Sequence, residues 1–347
     1  MSDSSGVGEQ VTALSTSPDA PRTRPPTDKR HAHDLAAYIL QQYEYATSGK
    51  GGRLTFHVTQ KVWSSLEPVL LRDYKLSCDY FPRAQRLVVR MHSQKHENFI
   101  LKLGSRITAQ LGVIASESGP AGDFAKDIEA VGQATIRPKN PGYGTHDPDA
   151  SYRHLGSPLP AVVIEVAYAQ RGCTLRALAE DYIFGSLLKI RVVVGFDISY
   201  RKKRATFSVW RPVQNPDNKV WTVEATVANR VFRHDNGEPN DQEGLGLTLR
   251  LEDFADARTC QDFGAMGREI FVSCGELYQY LERAETTLDD VESTTSEQGS
   301  PLKMHHQAIT PEEQLTESDE EAFVEDEERV SVRLERDDAS YEGNSPD

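Results

Sequence analysis

Two acidic residues, Asp149 and Glu165, occupy positions from which their carboxylates could act together. Asp149 follows Pro148 in a polar loop, and Glu165 is the single charged residue in the apolar run AVVIEV at 161–166. Fifteen residues separate the two. A hard divalent cation such as Mg²⁺ or Mn²⁺ prefers several oxygen ligands, which two carboxylates at neighbouring strand ends can supply at one point. The first chemical hypothesis is therefore a metal site at Asp149 and Glu165.

A second interpretation of Glu165 needs no metal. The nearly continuous run of Ala, Val and Ile around it predicts a strand that is buried on both faces. An isolated carboxylate inside such a strand requires a partner, because an unpaired buried charge is costly. That partner could be a basic residue of the core, such as Arg90 or Arg191, in which case Glu165 would form an ion pair.

The residues that follow this pair predict a crossover connection. Apolar residues recur at helical spacing between Leu175 and Ile183, which predicts a helix that ends near Gly185. The apolar run IRVVVGFDI at 190–198 predicts the next strand. A strand, a helix and a strand in this order predict two parallel strands in one sheet.

Elements on either side complete the predicted sheet. The segment at 75–91 predicts a β-hairpin, and a helix should follow from about 96 to 115, with Ser93 as its cap. A further strand is predicted at 128–136, and the apolar runs after residue 205 predict antiparallel strands that extend the sheet. This order indicates a mixed α/β fold with a central mixed sheet flanked by helices.

The acidic residues and their surroundings resemble a known nuclease motif. Pro148 and Asp149, a spacer, and Glu165, Val166 and Ala167 resemble the P-D, spacer, (D/E)-x-K pattern of the PD-(D/E)XK nuclease superfamily. The likeness is closer to its restriction-endonuclease-like branch of uncharacterised bacterial proteins and their fungal relatives, whose pattern runs PDxxF, spacer, VVIEV, helix and strand. It covers about 75–255, with a core at about 75–215. The resemblance implies a restriction-endonuclease-like core with an antiparallel strand extension.

The resemblance also implies a set of metal ligands and contains one departure. Asp149 and Glu165 would bind Mg²⁺ or Mn²⁺ together with the carbonyl oxygen of Val166, and Glu97 would point at the metal, directly or through water. The lysine that stabilises the transition state in the family is replaced by Ala167, which carries no charge. Glu97 also has a simpler explanation, because acidic residues favour the first turn of a helix.

Other residues could stand in for the missing lysine, because related families move it to the helix after the strand. Gln170 and Arg171 follow the strand directly and are the candidates for catalytic roles beside the acidic pair. Arg176 and Lys139 are further cations within reach of such a role. Arginine binds phosphate well but does not release its proton near neutral pH, so this substitution would preserve binding better than catalysis.

The sequence leaves two functions open. The first is a divalent-metal-dependent, nuclease-like protein that acts on or binds nucleic-acid phosphodiesters, with DNA preferred to RNA. The second is a catalytically dead module of the same fold that binds nucleic acid or a protein partner. Ala167 favours the second function, whereas the retention of Asp149 and Glu165 favours the first. Whether the protein is an enzyme is left open by the sequence.

Charge is distributed unevenly along the chain. From Ala284 onward there are 20 acidic and 4 basic residues, so this stretch has a net charge of −16, whereas the whole chain has −14. The remainder is slightly basic and could approach a phosphate backbone, for which the acidic stretch would compete. We expect three segments: a disordered arm at 1–30, a single nuclease-like domain at 31–283 with its β extension at 216–283, and a disordered acidic tail at 284–347.

The four cysteines are scattered without CxxC spacing, which indicates free thiols and not a zinc site. No apolar stretch near the N-terminus is long enough for a secretory signal or a membrane span. We therefore expect an intracellular protein, cytoplasmic or nuclear, that is neither secreted nor bound to a membrane.

Overall fold

A computed structural model of the chain describes residues 29–47, 52–140, 142–168, 173–199, 203–264 and 266–294. Residues 1–28 of the predicted arm and 295–347 of the predicted tail lie outside these ranges, as do Gln170 and Arg171. The last two residues of the predicted arm, 29–30, and the first part of the predicted tail, 284–294, are helical, so the folded part begins earlier and ends later than the sequence predicts. The described residues up to Ser293 belong to one compact unit. Among the helices of this described part, none combines the length and the hydrophobicity that crossing a membrane requires.

The protein has the mixed α/β fold that the sequence predicts, with seven α-helices and twelve strands in the described ranges. The helices are α1 (Lys29–Thr47), α2 (Gln60–Pro68), α3 (Gln94–Ala115), α4 (Pro120–Lys126), α5 (Cys173–Gly185), α6 (Ala257–Phe263) and α7 (Cys274–Thr294). The strands are β1 (Gly52–His57), β2 (Cys78–Phe81), β3 (Arg86–Met91), β4 (Ile128–Ala130), β5 (Thr145–His146), β6 (Ala150–His154), β7 (Val162–Tyr168), β8 (Val192–Ile198), β9 (Ala205–Gln214), β10 (Trp221–Arg233), β11 (Gly246–Arg250) and β12 (Glu269–Ser273).

Six of the described strands form a central sheet in the order β10-β9-β8-β7-β6-β4. β7 and β8 are parallel, whereas the other neighbouring strands are antiparallel. α5 connects β7 to β8, so the predicted parallel crossover is confirmed. The predicted helix after the hairpin is α3, and the hydroxyl of Ser93 caps it by accepting the amide hydrogen of His96.

The two faces of β7 pack against different helices. Its even-numbered residues, such as Ile164, belong to the apolar cluster that includes α3. Val163 and Ala167 belong to a second apolar cluster that includes α5. Because side chains alternate along a strand, Glu165 shares the face of Val163 and Ala167 and points towards α5.

Four further strands form a smaller sheet in the order β1-β3-β2-β5. β2 and β3 form the predicted hairpin. A 3₁₀ turn at Pro82–Ala84 joins them, and Gln85 ends this turn in the left-handed conformation with a φ of 46°. This sheet carries Asp79 on β2 and Arg90 on β3, which contribute to the site.

The structure corrects two predictions for the strands around the acidic pair. The strand predicted at 128–136 is restricted to β4, because Gly132 adopts a positive φ of 62° and turns the chain. Ile136 takes part only in an isolated bridge with His146. β6, which begins directly after Asp149, was not predicted, because the sequence ASYRH has no apolar run.

The predicted β extension at 216–283 is also different in the structure. β10 continues the central sheet, but β11 and β12 form a separate two-stranded sheet. The backbone of Phe271 on β12 forms two hydrogen bonds with the side chain of Gln110 on α3. The second half of the extension therefore pairs with itself and contacts α3, and it does not lengthen the central sheet.

Replacing Gly195 with Ala should destabilise the fold. Gly195 of β8 is paired with Glu165 in the parallel ladder, and an added Cβ would lie 2.6 Å from the ring of Trp210. Overpacking of this kind lowers the free energy of unfolding by about 1–3 kcal/mol. Urea denaturation measures the change.

The matched control is Gly112→Ala in α3, where an added Cβ meets no atom within 4 Å. This change should raise the free energy of unfolding by about 0.5–1 kcal/mol, because alanine favours the helix interior more than glycine does. The same sign of effect at both positions would contradict the packing described at Gly195.

Candidate functional site

In the described part of the chain, four buried charged side chains meet where the two larger sheets contact each other. Arg90 Nη1 donates hydrogen bonds to Asp149 Oδ1 at 3.0 Å and to Glu165 Oε2 at 2.8 Å. Arg90 Nε lies 3.4 Å from Asp79 Oδ2. Each of the four residues is at most 4% exposed. We refer to Asp79, Arg90, Asp149 and Glu165 as the Arg90 cluster.

The two acidic residues that the sequence singles out therefore lie side by side, and the cation at their common point is a guanidinium. Glu165 pairs with Arg90, which was one of the two basic partners considered from the sequence. Whether Asp149 and Glu165 also bind Mg²⁺ or Mn²⁺ stays a prediction.

The remaining oxygens of the acidic pair are also bonded. The amide of Val166 donates to Asp149 Oδ2 at 2.6 Å, and the hydroxyl of Tyr182 on α5 donates to Glu165 Oε1 at 2.6 Å. Mg²⁺ demands near-octahedral oxygen ligands at about 2.0–2.1 Å and usually keeps several waters. The two carboxylate side chains are only 1% exposed. With Arg90 between them, these residues do not fit a hydrated Mg²⁺ ion.

Two histidines and Glu97 lie beside Asp149 at the start of α3. His96 Nε2 is 3.1 Å from Asp149 Oδ2, and His92 Nε2 is 3.6 Å from Asp149 Oδ1. Glu97 Oε1 is 2.8 Å from His92 Nδ1 and 3.4 Å from His96 Nδ1. The side chain of Glu97 is 46% exposed, so this group connects the buried cluster with the surface. We refer to His92, His96 and Glu97 as the histidine cluster.

A third histidine contacts Asp79 from the opposite side. His146 Nδ1 is 3.2 Å from Asp79 Oδ1, and its Nε2 is 3.0 Å from Asp181 Oδ2. Burial alone would lower the pKa of His146, but its hydrogen bonds to Asp181 and Asp79 raise that pKa to about 9. His146 is therefore a cation at neutral pH and supports the negative charge of Asp79.

The protonation of the acidic pair depends on opposing effects. Burial raises the pKa of Glu165 to about 8, because the charge of Arg90 offsets the desolvation only in part and Asp149 adds repulsion. Burial also acts against ionisation of Asp149, but the charges of His96 and Arg90 hold the pKa of Asp149 well below its usual range. Asp149 is therefore charged at neutral pH, whereas Glu165 is the member of the pair that takes up a proton first.

The other predicted ligands have different surroundings. Val166 contributes its backbone amide to Asp149. Ala167 lies in the apolar cluster beside α5, and at this position it supplies no charge. Glu97 reaches Asp149 through the two histidines of the histidine cluster.

The candidates for a replacement of the lysine are spread over different places. Arg176 forms an ion pair with Glu180 on the exposed side of α5. Lys139 is exposed, in the loop before Asp149. Gln170 and Arg171 lie outside the described residues, so their predicted roles stay predictions.

Reasoning from the sequence missed five members of the site. They are Asp79, His92, His96, His146 and Tyr182. Only two of these left a visible signal, since His92 and His96 are four residues apart and His96 immediately precedes Glu97. The others reach the site through the pairing of distant strands and the packing of α5, which no local pattern reveals.

No known protein family and no curated protein matches this chain in sequence. The likeness to PD-(D/E)XK nucleases therefore stays a hypothesis that rests on the motif. The proposed function therefore rests on the geometry of the Arg90 cluster.

Replacing Arg90 with Met should destabilise the protein more than replacing Glu165 with Gln does. Arg90→Met removes the guanidinium that Asp79 and Asp149 contact directly and leaves both carboxylates buried, which costs about 3–5 kcal/mol. Glu165→Gln leaves Arg90 with two carboxylate partners and preserves the shape of the side chain, so its cost should be about 1 kcal/mol or less. Urea denaturation at neutral pH measures both changes. Equal losses would show that Glu165 is the partner on which Arg90 depends.

The raised pKa of Glu165 should make stability depend on pH. The folded protein holds this proton between the ordinary pKa of 4.5 and about 8, and the unfolded chain does not, so stability falls as the pH rises through this window. As the pH rises from about 5 to about 8, the free energy of unfolding of Glu165→Gln should therefore increase relative to wild type. Denaturation curves at several pH values test this, and a constant difference would contradict the raised pKa.

Proposed function

We propose that this is a nuclease-fold protein in which Arg90 takes the place of the catalytic metal ion, and that it binds nucleic acid without hydrolysing it. The observation that carries the proposal is the position of Arg90 Nη1, which lies 3.0 Å from Asp149 Oδ1 and 2.8 Å from Glu165 Oε2. In the nucleases that the motif resembles, the two acidic positions would share a divalent cation. Here they share a guanidinium.

The order of elements supports the nuclease-fold part of the proposal. α3 carries Glu97, β6 begins directly after Asp149, and β7 carries Glu165. α5 and the parallel strand β8 follow. Ala150 is paired with Ile164, so Asp149, one residue before β6, lies next to Glu165 on the adjacent antiparallel strand. These are the helix, the acidic strands and the crossover on which the resemblance depends.

Two features support binding without hydrolysis. A metal ion that entered between the carboxylates would separate Arg90 from its partners, and an uncompensated buried charge costs about 3–5 kcal/mol. Ala167 lies among apolar side chains beside α5 and supplies no positive charge to a transition state. The acidic pair already has a counter-charge in Arg90, and position 167 lacks the lysine that would assist cleavage.

The nucleic-acid part is supported by a basic–aromatic surface, which we define as Arg83, Arg86, Lys139 and Tyr143. Arg83 Nε donates to the carbonyl of Gly142, and its guanidinium lies 4.6 Å from the centroid of the Tyr143 ring. Lys139 belongs to the same loop as Tyr143 and is exposed. Cations beside an aromatic ring suit a nucleic-acid strand, because phosphates pair with cations and bases stack on rings.

This surface is connected to the Arg90 cluster through Phe81. The guanidinium of Arg86 lies 4.6 Å from the Phe81 ring centroid. Phe81 also contacts His146, whose ring centroid is 4.9 Å away and which contacts Asp79. A strand bound at the basic–aromatic surface would therefore lie beside the site that corresponds to the active centre of the nucleases.

Metal-dependent cleavage is the second candidate. The convergence of Asp149 and Glu165 on one cation position favours it, because a divalent ion that displaced Arg90 would find both carboxylates in place. The two candidate functions differ in whether Arg90 stays between the carboxylates of Asp149 and Glu165.

Removing two cations from the basic–aromatic surface should weaken nucleic-acid binding. We expect Arg83→Gln combined with Lys139→Gln to lower the affinity for a DNA oligonucleotide about tenfold or more at low salt, and to reduce the slope of log Kd against log salt by about 1–2. Fluorescence anisotropy of the full chain with single- and double-stranded DNA and RNA measures this. Lys126→Gln combined with Arg176→Gln removes the same charge from exposed positions on α4 and α5 and should change affinity less than about threefold.

The same preparations test hydrolysis. With Mg²⁺ or Mn²⁺, neither the wild type nor Glu165→Gln should cleave these substrates. Metal-dependent cleavage by the wild type that Glu165→Gln abolishes would overturn the proposal in favour of the second candidate. Equal affinities of the two double variants would remove nucleic acid from the proposal, and a protein partner would then be the occupant to seek.

A further inference from the structure

The histidine cluster brings together three donor atoms that suit a different class of metal ion. His92, His96 and Glu97 each contribute one ligand atom, and these three atoms lie within 4.8 Å of one another. Imidazole nitrogens with a carboxylate are donors that Zn²⁺ and related transition metals bind well, whereas Mg²⁺ takes oxygen ligands. The nuclease resemblance assigns a metal role to Glu97 alone and none to the two histidines.

The local backbone explains why these side chains meet. Ser93 caps α3, and its hydroxyl accepts the amide hydrogen of His96 at 3.3 Å. His92 stands one residue before this cap, and His96 and Glu97 belong to the first turn of the helix. The two imidazole rings lie 4.7 Å apart between centroids and are tilted by 30°. The cap therefore holds both rings on one side of the helix start.

Asp149 faces both imidazoles from the buried side. Its oxygens face the Nε2 atoms of His96 at 3.1 Å and of His92 at 3.6 Å. The Nδ1 atoms face the opposite way, towards Glu97 Oε1. A histidine that binds a metal commonly donates its second ring nitrogen to a carboxylate, which fixes the tautomer and the ring orientation. Asp149 is placed to do this for His96, and it lies just beyond hydrogen-bond distance of His92 Nε2.

We propose that His92 Nδ1, His96 Nδ1 and Glu97 Oε1 bind one divalent transition-metal ion of the Zn²⁺ class, with Asp149 as the carboxylate that orients the imidazole of His96. On binding, the ion would displace to the solvent any proton that the two Nδ1 atoms carry. Three protein ligands leave the fourth tetrahedral position open to water or to an anionic oxygen.

This site goes beyond the proposed function, because it neither requires nor excludes nucleic-acid binding. It also leaves the Arg90 cluster intact. Asp149 keeps its hydrogen bonds to Arg90 and to the amide of Val166 while it orients His96. The half-exposed side chain of Glu97 gives an ion access from the surface.

Metal titration of the full chain tests the proposal. Isothermal titration with Zn²⁺, and with Co²⁺ whose visible absorption reports tetrahedral coordination, should show one ion bound with a Kd of about 1 µM or tighter. Glu97→Gln and His92→Ala should each weaken binding at least about tenfold. Glu97 is 46% exposed, so Glu97→Gln leaves the core unchanged. Mg²⁺ at the same concentrations should not compete.

Three controls separate this site from other sources of binding. His234→Gln changes an exposed histidine elsewhere in the fold, and His305→Gln with His306→Gln changes the adjacent histidines of the tail. Glu165→Gln changes the other candidate metal position. All three should bind Zn²⁺ within about threefold of wild type. Melting curves should show that saturating Zn²⁺ raises the Tm of the wild type and of these controls but not of Glu97→Gln.

Two results would overturn the proposal. One is a wild-type affinity for Zn²⁺ and Co²⁺ no tighter than about 1 mM. The other is undiminished binding by both Glu97→Gln and His92→Ala. If instead Glu165→Gln abolished Zn²⁺ binding, the ion would belong between the carboxylates, which would contradict both this proposal and the proposed replacement of the metal by Arg90.

Discussion

The structure depends on one buried guanidinium and the carboxylates around it. Arg90 is the point at which the smaller sheet contacts the central sheet through charge, since it comes from β3 and binds residues that lie 59 and 75 positions further along the chain. Ion pairs of this kind add little net stability, because desolvation offsets most of the attraction. Their effect is on specificity: any other alignment of the two sheets would leave a buried charge without its partner.

The environment of the cluster divides its chemistry into an inner and an outer part. The inner part, around Glu165, is closed, because its oxygens are already bonded to Arg90 and Tyr182. The outer part, around Glu97, opens to solvent. An ion or ligand that bound at the outer part would leave the packing of β7 unchanged, whereas one that entered the inner part would have to disturb it. A closed inner site and an open outer one favour binding functions over the hydrolysis for which such a carboxylate pair is otherwise suited.

Local patterns in the sequence were sufficient to predict the elements that have a continuous apolar face. The spacing of apolar residues and the turn residues predict three features: α3, the hairpin, and the crossover from β7 through α5 to β8. β6 is short and polar, and β4 ends early at Gly132, so their apolar signal was absent or misleading. The acidic pair was visible because a charge in an apolar strand is unusual. The identity of its partner was not, because Arg90 contacts it only through the tertiary fold.

Asp149 is the residue that both parts of the site share, and its bonding affects how readily each part would bind an ion. Its Oδ1 accepts from Arg90, and its Oδ2 accepts the amide hydrogen of Val166 and faces His96. An ion between Asp149 and Glu165 would have to compete with Arg90 for both carboxylates in a buried region. An ion bound to the Nδ1 atoms of the histidines would break none of these hydrogen bonds. It would use Asp149 as the carboxylate that accepts from the second ring nitrogen of His96. The same carboxylate therefore acts against a metal at the inner position and in favour of one at the outer position.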